Sequence, residues 1–180
     1  MAVNVKLITA EEFAAANSND VWTELVRGEI TEMCPPGFEH SIIGSNVIEL
    51  VGSYVRAHKL GRIFDDGGFT LERDPDTILA PDASFIRSER MPARKSVFPE
   101  LAPDLVFEIV SPSDLAREVN RKVQIYHSAG VRMVCVIWPA TRVVELSTPD
   151  GNTRTFREQD MLDFGDVIPG YQVKVADLLE

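Results

Sequence analysis

Two stretches of the chain are apolar at nearly every position: Leu105-Val106-Phe107-Glu108-Ile109-Val110, and Val131 to Trp138. A strand covered on both faces has this signature, so both are expected at the centre of a sheet. Elsewhere the apolar residues are periodic. From His40 to about His58, Ile43, Val47, Leu50, Val51, Tyr54 and Val55 recur at three- and four-residue steps, which predicts a helix with Gly61 near its C-terminal cap. Ahead of it, Thr9 and Glu12 form a capping-box pattern for a short helix through about Ala16. Asn17 to Asp20 has the composition of a turn, and Val21 to Met33 that of a hairpin around Arg27-Gly28 closed by Pro35-Pro36-Gly37. Arg62 to Ile86 predicts a meander of short strands broken at Gly67-Gly68 and Asp74-Pro75-Asp76. Ser111 is placed as an N-cap with Pro112 behind it, predicting a helix to about Ser128 that Ala129-Gly130 stops. Arg142 to Ser147 and Thr153 to Phe156 flank Asp150-Gly151-Asn152 as a last hairpin, and a short apolar segment closes the tail.

Helix, hairpin, helix, meander, central strand, helix, strand and hairpin in that order predict an α/β chain built on a mixed sheet flanked by helices. A length of 180 residues with 44% hydrophobic content suits one core, hence one domain over residues 1–180. No run of about 18 apolar residues is present, and MAVNVKLITAEEF lacks the basic and apolar regions of a signal peptide, so a soluble, cytoplasmic protein without membrane insertion is expected. Cys34 and Cys135 have no metal-set spacing and are expected as free thiols. The formal charge of −10 excludes a general nucleic-acid-coating role, which needs Lys and Arg against phosphate. Arg87, Arg90, Arg94 and Lys95 form the local basic cluster, either gathered at the mouth of a site or lying in a solvated loop.

Three residues carry candidate chemistry. Glu108 is the one charged residue in a run that otherwise demands burial, so it is expected to pair with a buried Arg or Lys or to bind a metal. On a helix, Leu115, Val119, Lys122, Val123 and Tyr126 share one stripe, which aims Lys122 at the sheet unless it snorkels to water. A helix that starts directly after the Glu108 strand packs back over that sheet, so the two can be neighbours. Asp82, behind Pro81, opens the strand predicted over 83–86. Two carboxylates from adjacent strands can hold a hard divalent cation, and a lysine can orient or help deprotonate the attacking water while countering phosphate charge. That is equipment for phosphodiester hydrolysis. A pair of acids also serves glycoside hydrolysis, but the lysine suits phosphate better.

Pro81-Asp82-Ala83-Ser84-Phe85, the block Pro103 to Ser113, and Lys122, Tyr126 and Ala129-Gly130-Val131 together resemble the Uma2 family, with Gly28-Glu29-Ile30, Met33 and His40 extending the likeness to the front. The resemblance implies a restriction-endonuclease-like PD-(D/E)xK core, a Mg2+ (or Mn2+) ion on Asp82 and Glu108, and cleavage of nucleic acid, with DNA the expected partner. Two residues after Glu108, where that superfamily carries its lysine, stands Val110, so the role falls to Lys122. His40 matches a family histidine and is expected either to support the ligands or phosphate or to be a satisfied core histidine. Glu29, at the family's early glutamate, is expected as a further ligand or as a hairpin surface charge. A homodimer would supply two centres for two strands. The competing expectation is a catalytically silent binding module of the same fold.

Overall fold

The computed structural model describes residues 6–16, 23–92 and 97–180. In chain order its elements are α1 (Ala10–Ala16), β1 (Thr23–Val26), β2 (Glu29–Glu32), α2 (Phe38–Ala57), β3 (Gly61–Asp65), β4 (Phe69–Glu72), β5 (Thr77–Leu79) and β6 (Ala83–Arg87). Then come β7 (Leu105–Ile109), α3 (Ala116–Ala129), β8 (Met133–Trp138), β9 (Val143–Ser147), β10 (Thr153–Arg157), β11 (Met161–Asp163), β12 (Gln172–Lys174) and α4 (Val175–Leu179). They form two compact units: Met1–Pro35, Gly68–Ala80 and Pro92–Ala102 in the first, and Pro36–Gly67, Pro81–Met91 and Pro103–Glu180 in the second. The expected turn at Asn17 to Asp20 lies outside the described residues. No helix among the described residues is long and apolar enough to cross a membrane.

The first unit is an antiparallel sheet in the order β2-β1-β5-β4. Arg27 and Gly28 both have positive φ, 52° and 80°, the combination that a two-residue hairpin needs to follow strand twist. The capping box at α1 is real: the Thr9 hydroxyl accepts from the Glu12 N–H at 3.2 Å, and Glu12 accepts from the Thr9 N–H at 3.0 Å. Phe13 of that helix is buried with Ala10, Leu25 and Ile78. Beneath the helix, the buried Asp76 carboxylate accepts from the Ala10 N–H at 2.7 Å and from Arg73 at 2.9 Å.

The second unit carries a six-stranded sheet in the order β10-β9-β8-β7-β6-β3, with β7 and β8 parallel and the other pairs antiparallel. Parallel neighbours need a crossover, and α3 supplies it. Burial on both faces explains why β7 is apolar at every position but Glu108. Leu105, Phe107 and Ile109 join Ile43, Val47, Val51 and Val55 of α2 in one core. Val106 and Glu108 face the other way, where Lys122 and Tyr126 of α3 reach Glu108. Full burial of a side chain such as Phe107 stabilises by roughly 2 kcal/mol.

Four expectations need correction. The meander divides between two sheets, β4 and β5 pairing with the first hairpin while β3 and β6 pair with each other, because turn composition marks where a strand ends and not which partner it finds. Helix α3 begins at Ala116, since Ser111 and Asp114 satisfy each other in a turn, with Asp114 accepting from the Ser111 N–H at 2.7 Å and the Asp114 N–H returning to the Ser111 carbonyl at 3.0 Å. Leu115 consequently lies outside the helical stripe and is exposed. Gly61 does not cap α2; it opens β3, where an added Cβ would sit 2.0 Å from the Ile86 carbonyl oxygen, so close strand approach requires the glycine. The stop at Gly130 is as expected, with φ of 100° at the cap.

Candidate functional site

Glu108 owes its place in an apolar strand to α3. Lys122 and Tyr126 stand one helical turn apart on the face that also buries Val119 and Val123. The Tyr126 hydroxyl donates to Glu108 Oε1 at 2.5 Å, and Lys122 Nζ lies 3.6 Å from Oε2. The Lys122 and Glu108 side chains are only 23% and 12% exposed, so the lysine head stays on the sheet.

Asp82 immediately precedes β6, which runs antiparallel to β7 with Ala83 opposite Phe107. The paired register ends at Ala83, one residue short of Asp82. Asp82 Oδ2 accepts the Ile109 N–H at 2.6 Å, and its Oδ1 lies 3.2 Å from His40 Nε2. His40 stands in the first turn of α2. The bond to Asp82 raises the imidazole pKa against the opposing effect of burial, and the charges of Asp82, Asp66 and Asp114 add to the rise. Asp66 is itself pushed up, first by burial and then by the charges of Asp65 and Asp82, with His40 opposing. Its N–H approaches the Asp82 carbonyl at 3.4 Å. Asp66, Asp82 and Asp114 thus set negative charge around His40.

Within the second unit the contacts form two groups, Glu108 with Lys122 and Tyr126 of α3, and Asp82 with His40 of α2 and the Ile109 N–H of β7. Glu29 belongs to the first unit, exposed on β2. Of the basic cluster, the described Arg87 and Arg90 do not line this centre. Arg87 stands at the far end of β6 from Asp82, and Arg90 follows it. Arg90 pairs at 2.7 Å with the buried Asp104, whose other oxygen accepts the Arg87 N–H at 3.0 Å, while the Arg87 side chain donates to the Asp166 carbonyl. Arg94 and Lys95 lie outside the described residues. Sequence reasoning missed two participants. Tyr126 had been counted with the core stripe, and its hydroxyl, which needs a partner when buried, was the available signal. Asp66, beside a Gly-Gly turn, offered none.

The candidate donors are the carboxylates of Asp82 and Glu108, and among the described residues no group of three or more His, Cys, Asp or Glu side chains is gathered to hold an ion. A closed structural zinc site takes four protein ligands, more than this pair supplies. A Mg2+-type cation, which takes one or two carboxylates and keeps water and phosphate oxygens for its remaining positions, is compatible with it.

The six-stranded mixed sheet with its parallel β7–β8 pair and crossover helix α3 is of the restriction-endonuclease-like fold class. The fold superposes on the crystal structure of a putative nuclease belonging to DUF820 from Anabaena variabilis ATCC 29413, with a TM-score of 0.86 and 23% sequence identity over 96% of this chain and 97% of that one. No match was found among curated proteins. The model of the Uma2 family, described as "Putative restriction endonuclease", matches residues 10–176, and the chain belongs to that family. The family resemblance carried by the residues from Gly28 to Val131 is thereby borne out.

Proposed function

We propose that this protein is a divalent-metal-dependent endonuclease that hydrolyses phosphodiester bonds of DNA, with its centre at Asp82, Glu108 and Lys122. The observation that carries this reading is the Lys122 ammonium 3.6 Å from the Glu108 carboxylate, on the strand whose Ile109 N–H donates to Asp82. Membership of a family described as restriction endonucleases supports the same reaction class.

In this reading Asp82 and Glu108 hold a Mg2+ or Mn2+ ion. Bound there, such an ion lowers the pKa of water and neutralises charge developing on the transferring phosphate. The protein's own groups do the rest. The Ile109 N–H and His40 fix the two oxygens of Asp82, so the ligand does not reorganise during turnover. Lys122 has three donors and no acceptor, which suits it to orient the attacking water and to counter phosphate charge. The exposed stretch Pro112 to Glu118, which follows the Glu108 strand, leaves that side accessible to a large substrate. A homodimer would let two such centres act on the two strands of a duplex.

Plasmid DNA incubated with purified protein and Mg2+ or Mn2+ tests the reading, with Asp82→Ala, Glu108→Ala and Lys122→Ala alongside. Metal-dependent nicking is expected from the wild type. The carboxylate variants should lose divalent-ion binding by calorimetry, whereas Lys122→Ala should lose cleavage and still bind the ion. Absence of both cleavage and ion binding in the wild type would replace the nuclease with a catalytically silent module of the same fold.

A further inference from the structure

We infer that Tyr126 is a positioning residue of this centre, holding the Glu108 carboxylate in the orientation in which it receives a divalent cation. The inference rests on the metal-dependent reading above and assigns a role to a residue which that reading does not use. Tyr126 is fully buried, and a phenol hydroxyl removed from water requires a hydrogen-bond partner. Its partner is the candidate ligand itself, at Oε1.

The main chain that carries the ring is anchored. The Tyr126 carbonyl accepts the Val131 N–H at 2.9 Å, closing the end of α3 directly onto the segment that leads into β8. A phenol ring has two side-chain torsions, packed here in a core, so the hydroxyl is a fixed donor. Lys122 is different. Its side chain is 23% exposed and its flexible four-carbon stem can follow a water or a phosphate. With Lys122 engaged elsewhere, Tyr126 still restrains the same carboxylate through its other oxygen.

A carboxylate oxygen has two lone-pair sites, so Oε1 can accept the phenol hydrogen and bind a cation together. Glu108 has several torsions of its own, and without the hydroxyl its carboxylate would have to be ordered at the moment the ion binds. Partners that orient metal ligands in this way typically contribute about 10- to 100-fold in ion affinity.

The test is the Mn2+ dissociation constant, read from the electron paramagnetic resonance signal of free Mn2+, for the wild type and Tyr126→Phe. Near-UV circular dichroism and Tm check the fold of each. Roughly 10- to 100-fold weaker binding in a folded Tyr126→Phe protein is the expected result. Equal binding by the two proteins overturns the inference and leaves the nuclease reading standing. A wild type that binds no Mn2+ overturns both, which separates the two failures. Should Tyr126→Phe lose its fold, Tyr126→Met, also without a hydroxyl, is measured in the same assay against the same expectation.

Discussion

Replacing Lys122 by methionine keeps most of the side chain's apolar length and removes a positive charge 3.6 Å from Glu108 Oε2. At that separation two unit charges attract by ~5 kcal/mol if the effective dielectric is about 20. Taking both heads out of water and ordering the long lysine stem offset much of that gain. What decides the outcome is the state left behind. Glu108 keeps its bond from Tyr126 but loses the lysine counter-charge, in a place where its side chain is 12% exposed. Breaking a fully buried pair costs about 3–5 kcal/mol, and the partial exposure of both heads scales this to about 2 kcal/mol. For a chain of this length that corresponds to a Tm lower by roughly 4–8 °C. The assay is urea unfolding in EDTA, followed by far-UV circular dichroism. Glu108→Gln added to Lys122→Met should recover most of the loss, because the amide oxygen still accepts from Tyr126 and no uncompensated charge remains. Strictly additive losses in the double variant would refute the claim that the lysine head is engaged with this carboxylate.

Two further outcomes follow from the same kind of accounting. Burial pushes the Asp76 carboxyl up, but the Ala10 and Asp74 N–H groups and Arg73 outweigh it and hold the group below its ordinary value of 3.8. A depressed value in the folded state means that its stabilisation is complete above about pH 4 and is lost as pH falls through the folded value. Asp76→Asn should therefore be less stable by about 1–3 kcal/mol at neutral pH, with the gap to the wild type narrowing below pH 4 in thermal melts. A gap constant from pH 7 to pH 3 would contradict this. Ser84 is fully buried on the sheet, and its hydroxyl is a buried side-chain group with no hydrogen-bond partner. Ser84→Ala should leave urea stability unchanged or raise it by about 1 kcal/mol, and a clear loss would mean that the hydroxyl has a partner.

Much of this architecture was legible because it is coded locally. The α1 capping box, the Arg27-Gly28 hairpin, the stop at Gly130 and the two apolar strands each depend on residues within one element or turn. The assignment of β4 and β5 to a sheet separate from β3 and β6 depends on pairing across the chain, and nothing in their composition expresses it. The start of α3 was misjudged because Ser111 and Asp114, a capping pair in sequence, hydrogen-bond just as well in an isolated turn. At the site, Glu108 and Lys122 stood out as polar residues in apolar patterns. Tyr126 did not, because an aromatic residue on an apolar stripe raises no conflict. For Arg87 and Arg90 the alternatives left open by sequence are decided by Asp104, buried and distant in sequence, which claims Arg90 and the main chain of Arg87.

The turn at Ser111 to Asp114 has a consequence for variation among proteins built this way. It separates the strand that bears Glu108 from the helix that bears Lys122 and Tyr126, and residues 112–118 are exposed. Changes in the length or charge of that connection would alter what a polymer meets on approaching the carboxylates, while the two packed elements on either side stay as they are. On the proposed reading, selectivity can thus drift on a surface loop while Glu108, Lys122 and Tyr126 remain under the constraint of the core.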